Sequence, residues 1–209
     1  MNKPSIILIG AGGHARSCID VIEHLDAFKI AGLVGTEEEL QQECIGYSVI
    51  ATDIDLPKLA KQHQYALITL GQIESSLVRQ RLYKHVLTLG FKLPTIISPT
   101  AHVSRHAEVG NATIIMHGAI VNAGAKVGNN CIINSNAIIE HDVTVADHCH
   151  ISTGAILNGT ANIGLGSFVG SGSSVKEGIR LGSYCVVGMG ITVRHNYNEN
   201  SRILSSNKL

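Results

Sequence analysis

Ile133-Asn134-Ser135-Asn136-Ala137-Ile138-Ile139-Glu140-His141-Asp142-Val143-Thr144-Val145-Ala146-Asp147-His148-Cys149-His150-Ile151 places an aliphatic residue at every sixth position: Ile133, Ile139, Val145 and Ile151. The step runs without a failure from Ile97 to Val193, seventeen hits, too many for a coincidence of composition. A helix would repeat every 3.6 residues and a half-buried strand every two. Four residues after most of these aliphatics comes a small side chain, as at Ala101, Ala107, Thr113, Ala119, Ala125, Cys131, Ala137, Cys149, Ala155 and Ala161. Gly and Asn fill many of the remaining places, where a corner needs positive φ. Period six, with one aliphatic turned inward per flat side, predicts a β-helix of hexapeptide repeats. Three hexads close a triangular coil, so residues 18 apart stack. At about 4.8 Å per coil, five or so coils make a prism roughly 25 Å tall.

Outside the repeat the composition changes. Residues 1–95 hold thirteen Leu and eight Gly, whereas residues 96–195 hold three Leu and fourteen Gly, so two architectures share the chain, with the change near Pro94–Pro99. The expected organisation is an α/β domain over residues 1–95, a β-helix over 96–195 and a polar C-terminal tail over 196–209. Sixteen basic and sixteen acidic residues among 209 give no net charge, which disfavours general nucleic-acid binding and polybasic membrane docking. The apolar stretch Ser5–Ile9 is too short for a signal peptide or a membrane span. The five cysteines (Cys18, Cys44, Cys131, Cys149, Cys185) form no C-x-x-C pair, so reduced thiols and a cytoplasmic setting are expected. Cys131, Cys149 and Cys185 occupy the small inward slot of the hexad, which makes them core filler and not nucleophiles.

In the front domain, Ser5–Ile9 reads as a buried strand that runs into Gly10-Ala11-Gly12-Gly13-His14-Ala15, a G-x-G-x-x-A turn. The amphipathic stretch that follows carries Cys18, Ile19, Ile22 and Leu25 on one face. Strand, glycine turn and helix is the context of a phosphate-cradling loop at a helix N-terminus. Further strands are expected at Ile30–Val34, Ala66–Leu70 and Leu93–Ile97, and helices at Leu56–Gln62 and Ser75–Leu89, giving a small parallel α/β sheet. A dinucleotide site wants an acid at the end of the second strand. That place reads Gly35-Thr36, and the domain is short, so a mononucleotide-sized ligand fits better than NAD.

Among eleven histidines, His24, His63, His85, His102, His106 and His195 are expected to be solvated, and His117 is open. His141 and His150 are the candidates for chemistry, because they lie within half a coil of each other with Cys149 and His148. His141 stands between Glu140 and Asp142, and an imidazole oriented by an acid is the minimum equipment of a general base near neutral pH. Some trimeric β-helices hold zinc through histidines on facing surfaces, which would need whole-coil spacing. His106 to His141 is 35 and His102 to His141 is 39, neither a multiple of 18, so no metal is expected.

With the GAGGHA turn, the hexad prism and the Glu-His-Asp stretch in place, the chain resembles the NeuD/PglD family of bacterial sugar acetyltransferases. The resemblance runs from Ile6 to about Val193 and is most specific over Asn134–Asp142 and His150–Gly154. It implies a Rossmann-like nucleotide-sugar domain followed by a left-handed parallel β-helix. It also implies acetyl-CoA as co-substrate, and a homotrimer with sites shared between neighbouring prisms. By the same resemblance His141 is the base and Asp142 its carboxylate partner. His150 contacts the acetyl group, Asn134 lies in the same site, and Gly159, one coil above His141, offers backbone to acetyl-CoA. The glycine loop (Gly10, Gly12, Gly13, His14) and the turn Gly71-Gln72 fall in the segments that hold the nucleotide sugar. Gly35-Thr36 departs from the acidic pair of many members, Gly71-Gln72 from their Gly-Asn, and the Gly-x-Pro-Ala ending is absent. The oxyanion donor stays open between a backbone N–H near Gly159 and His150.

The expected function is N-acetylation of a nucleotide-linked amino sugar, of 4-amino-4,6-dideoxyhexose type, in surface-glycan synthesis. The alternatives are O-acetylation of a sialic acid-like sugar, a zinc-dependent hydratase and a non-catalytic binding protein.

Overall fold

The computed structural model describes residues 3–205. The front domain is built from β1 (Ser5–Ile9), α1 (Gly13–Leu25), β2 (Lys29–Gly35), β3 (Glu43–Cys44), β4 (Tyr47–Thr52), α2 (Leu56–Gln62), β5 (Tyr65–Ile68) and α3 (Leu77–Thr88). Its sheet has the order β3-β4-β2-β1-β5, parallel throughout except for the β3–β4 hairpin. The strands expected at Ile30–Val34 and Ala66–Leu70 are present, shifted by a residue or two. The expected helix at Ser75–Leu89 loses its ends.

Two features differ from expectation. The hairpin turns through Ile45 and Gly46, both at positive φ (+47° and +77°), the twist that closes a two-residue hairpin, but without the Asn-Gly or Asp-Gly that usually announces it. Leu93–Ile97 does not add a strand to the front sheet: Lys92 makes a single bridge to Tyr65, and only Ile96-Ile97 is extended and paired. Pro94 explains the break, since it has no N–H to continue a ladder.

Ile96-Ile97 is also the first rung of the prism. Three parallel sheets of two-residue rungs form its sides, a β-helix of hexapeptide repeats. One side carries the rungs 96–97, 114–115, 132–133, 150–151, 168–169, 186–187 and 202–203; the second begins at 102–103 and the third at 108–109. Rungs pair 18 residues apart, for example Ile132 with His150 and Ile138 with Ile156. The inward aliphatics from Ile115 to Val193 form one buried cluster. Each contributes about 1.5–3 kcal/mol relative to exposure. The hexad is also written in the backbone: every sixth residue from Ala112 to Gly190 is left-handed, with φ between +53° and +76°. Half of these are not glycine, among them Asp142 and His148, and the stacked coils hold them there.

The inward Thr113, Cys131, Cys149, Ser167 and Cys185 form a column beneath one edge. Each donates its side-chain hydrogen to a carbonyl of the next coil's corner: Gly128, Ala146, Gly164, Gly182 and Asn198, at 2.7–3.2 Å. The thiols are therefore core members with a hydrogen-bonding task, and burial raises the pKa of Cys149 and Cys185. Part of the expected polar tail belongs to the prism. Tyr197 bridges Leu181, and Arg202-Ile203 pairs with Val186-Val187 with Ile203 buried, because Ile203 continues the inward column. Residues 206–209 of that tail lie outside the described residues.

The two domains share a core. Cys18, Ile19 and Ile22 on the inner face of α1 pack in one cluster with Ile96, Ile114, Met116 and Ile132 of the first prism side. This docking faces the ends of β1 and β5 toward the prism and determines which residues can meet.

Candidate active site

His141 and Asp142 sit on the corner that joins the second prism side (rung 138–139) to the third (144–145). His141 Nδ1 is 2.9 Å from Asp142 Oδ2. A carboxylate accepts, so Nδ1 carries the hydrogen and Nε2 is left with its lone pair. The ring lies against Gly159, one coil along: a Cβ there would stand 2.6 Å from Nε2. Thr160 N–H donates to the His141 carbonyl at 3.0 Å, which fixes the two corners in register. Both His141 and Asp142 are about 60 % exposed, at 62 % and 63 %. A base with a free lone pair and an adjacent stretch of backbone thus face open space together.

His150 lies elsewhere. Its rung, 150–151, belongs to the first prism side, and the corner holding His141 is the vertex opposite that side. Nine residues are half a coil, and half a coil crosses the triangle. Half a coil in sequence is thus the full width of the prism in space, and one chain does not bring the two histidines together. His150 is buried, with Nδ1 2.7 Å from the backbone carbonyl of Gln72. The carbonyl can only accept, so Nδ1 donates, and Nε2 accepts from Asn134 Nδ2 at 3.2 Å. Burial pushes the His150 pKa down to about 4, and Arg79 adds to the fall, so the ring is neutral. A neutral ring with this tautomer has no hydrogen at Nε2. His150 Nε2 is therefore an acceptor and not a donor in this arrangement.

The glycine loop divides its residues between two surfaces. A cleft of about 780 Å³ opens at the end of the front sheet, lined by Gly10, Gly12, Thr36, Ile54, Val78 and Arg81 among others. Gly10, at φ +117°, allows β1 to approach the β5 end, where a Cβ would meet Leu70 N at 2.8 Å. At Gly12 and Gly13 a Cβ would meet nothing within 4 Å, so internal packing does not require these glycines. Gly12 caps α1 without a side-chain hydrogen bond, and the first turn holds no acid. The leading N–H groups of α1 remain available to an anion. The acid missing at Gly35-Thr36 is supplied from further along: Glu39 folds back so that Oε2 accepts from Thr36 N–H at 2.9 Å, and it also lines the cleft.

Gly13, His14, Gly71 and Gln72, expected with the nucleotide-sugar residues, do not line this cleft. His14 and Gln72 instead meet the prism. His14 is half-buried beside Cys18, with its ring 6.4 Å from that of His150 and its pKa pushed down to about 3 by desolvation first and by Arg79 second. Gly71 packs on His14, and Gln72 Nε2 donates to the His148 carbonyl at 2.6 Å.

The seam between the domains is organised by Arg79, which the sequence reading did not single out, and by His117, which it left open. Arg79 of α3 is 1 % exposed, with Nη1 donating to the carbonyls of Ile68 and Leu70, both at 2.7 Å. His117 links Ser98 Oγ (2.6 Å from Nδ1) to Asp20 (2.8 Å from Nε2), tying α1 to the prism. Ser98 is 1 % exposed, so this Ser-His-Asp line is a docking contact and not a nucleophile's triad. Among the described residues no group of three or more His, Cys, Asp or Glu converges as a metal ion would need, and no helix is long and apolar enough to cross a membrane.

Comparison with known proteins connects these parts. The PglD N-terminal domain family matches residues 5–86, the bacterial transferase hexapeptide family residues 124–159, and the hexapeptide repeat of succinyl-transferase residues 161–194. Comparison with curated proteins returns no match. Among solved structures, the acetyltransferase domain of PglB from Neisseria gonorrhoeae, in complex with acetyl coenzyme A, is 27 % identical with a TM-score of 0.88, covering 96 % of each chain. PerB from Caulobacter crescentus, in complex with CoA and GDP-perosamine, is 28 % identical with a TM-score of 0.87, covering 93 % of this chain and 91 % of that one. A histidine-to-asparagine variant of perosamine N-acetyltransferase from the same organism, with the same two ligands, is 27 % identical with a TM-score of 0.89, covering 95 % and 92 %.

Proposed function

We propose, from the premise that this chain belongs to the sugar acetyltransferases that join a PglD N-terminal domain to hexapeptide repeats, that it N-acetylates a nucleotide-linked amino sugar with acetyl-CoA. The observation that carries the reading is the His141–Asp142 pair with its free Nε2 against the backbone of Gly159. Acetyl-CoA is already activated, so no acyl-enzyme is needed. The neutral amine of the acceptor attacks the thioester carbonyl, and His141 Nε2 takes its proton. Asp142 steadies the imidazolium, and the Gly159 N–H receives the oxyanion. Collapse expels the CoA thiolate and leaves the amide. Positioning supplies much of the rate, the base about 10²–10⁴-fold and the oxyanion contact a comparable factor.

The cleft over Gly10–Gly12 suits the nucleotide: its anions meet the N-terminus of α1, Glu39 accepts from a ribose hydroxyl, and Ile54 and Val78 offer apolar surface to the base. A 4-amino-4,6-dideoxyhexose linked to GDP is the acceptor favoured by the likeness to the GDP-perosamine complexes, with surface-glycan synthesis as the setting. The five buried free thiols suit a reducing cytoplasm.

The separation of His141 from His150 supports a second copy completing each site. A three-fold assembly sets the His141 vertex of one prism beside the His150 face of its neighbour, giving a homotrimer with three shared sites.

The test is CoA thiol release, with GDP-, UDP- and dTDP-linked 4-amino sugars and free sialic acids as acceptors. Turnover with a nucleotide-linked amine is expected. Turnover confined to a sialic acid hydroxyl, or no release with any acceptor, overturns the reading.

A further inference from the structure

Among the described residues Arg79 is the largest fully buried side chain, and no carboxylate pairs with it. Burying a guanidinium costs several kcal/mol after relaxation, and burial lowers its pKa to about 10. An apolar residue of similar volume would fill the same space at lower cost, so packing alone does not call for arginine here. What the guanidinium gains is geometry. Nη1 bonds two carbonyls of one segment, Ile68 and Leu70, where β5 leaves the sheet. Nε reaches the carbonyl of Asn130 on the prism at 3.4 Å, and Nη2 has no partner. The planar fork thus holds the exit of β5 at a fixed place relative to the prism.

Two residues past Leu70 stands Gln72, whose backbone carbonyl accepts from His150 Nδ1. Its side chain bonds the His148 carbonyl, and the Asn130 side chain bonds the His148 ring at 2.9 Å. The arginine, the turn, the His148 corner and the His150 rung therefore form one connected seam between the domains.

We infer that Arg79 is a positioning residue that sets the tautomer of His150: by clamping the carbonyls of Ile68 and Leu70 it aims the Gln72 carbonyl at Nδ1, which leaves Nε2 as a hydrogen-bond acceptor. The lone pair left at Nε2 is the one that accepts from Asn134 Nδ2 at 3.2 Å, so the same clamp also fixes the Asn134 amide. The tautomer does not depend on the acetyltransferase reading; the effect on turnover below does.

The experiment is ¹⁵N NMR of the histidine rings in the full chain, with His150→Asn for assignment, on the native protein and on Arg79→Met and Arg79→Lys. In the native protein His150 is expected as the neutral Nδ1–H form alone. Both variants are expected to give a mixture of tautomers while circular dichroism stays native. Lysine fails with methionine because it keeps the charge but loses the planar fork. If methionine does not fold, the lysine variant decides. A native Nε2–H tautomer, or an unchanged Nδ1–H form in the folded variants, overturns the inference. Where turnover is measurable, kcat is expected to fall about 100-fold, the scale of a small misplacement, with KM for acetyl-CoA unchanged. Failure of the acetylation assay alone leaves the NMR result standing, so the two readings fail separately.

Discussion

The His141 imidazole rests on the backbone of Gly159, so close that a Cβ at position 159 would stand 2.6 Å from Nε2. Residue 159 is not at positive φ, and the atom it would strike is the end of an exposed side chain that can swing away. Gly159→Ala is therefore expected to keep its melting temperature within a degree or two and to lose about 100-fold in kcat, since the base is displaced and not the fold. Thermal unfolding beside thiol-release kinetics checks it; a variant with full activity removes Gly159 from the site.

His141→Asn keeps the shape of the corner and removes the proton acceptor. A loss of about 10²–10⁴-fold in kcat is expected, the range of a general base, with KM for acetyl-CoA little changed. Asp142→Asn is expected to cost less, because the pair is exposed and the ring keeps its place. Asn tolerates the left-handed backbone at 142, so that variant tests charge without adding strain. Steady-state kinetics on both variants decide; equal loss from each would mean that Asp142 does more than orient the ring.

Much of this arrangement was legible in the chain. The step from Ile97 to Val193 could be read because each aliphatic faces one narrow interior and nothing competes for it. His141 and Asp142 were legible because neighbours in sequence share a corner. The place of His150 relative to His141 was harder to see, because sequence separation within a coil does not give the side of a triangle: nine residues look near and lie across. Arg79 was hidden for a different reason. It falls in the stripe with Leu82 and Val86 on α3, and an arginine in an apolar stripe was the available signal. Its partners, though, are carbonyls of Ile68, Leu70 and Asn130, and backbone acceptors leave no mark on side-chain identity. Likewise Gly35-Thr36 lacks an acid in sequence, while the capping turn brings Glu39 back to the same spot.

His14 and His150 carry pKa values of about 3 and about 4, both below the ordinary 6.5 and both lowered chiefly by burial. The unfolded chain takes up protons near pH 6.5 and the folded one does not, so between 6.5 and 4 the unfolded state binds more. Stability is therefore complete above pH 6.5 and falls as the pH drops through that window, on the order of 3 kcal/mol for His150 alone. Urea midpoints at pH 7.5, 6 and 5 check it. The loss is expected to shrink in His14→Gln; a midpoint flat from pH 7.5 to 5 would show that neither ring is held neutral.

His141 occupies a vertex and His150 the opposite side, so under the trimer proposal each comes to a site from a different chain. This gives a mixing test of the assembly that needs no structure. In a three-fold ring each site takes His141 from one copy and His150 from the next. His141→Asn and His150→Asn are each expected to be nearly inactive. Unfolded and refolded together in equal amounts, they rebuild sites in which one copy contributes an intact His141 and its neighbour an intact His150. With random assembly about one site in four is so composed, and about a quarter of native activity should return. Sites confined to a single chain would recover nothing, because every chain in the mixture lacks one of the two histidines.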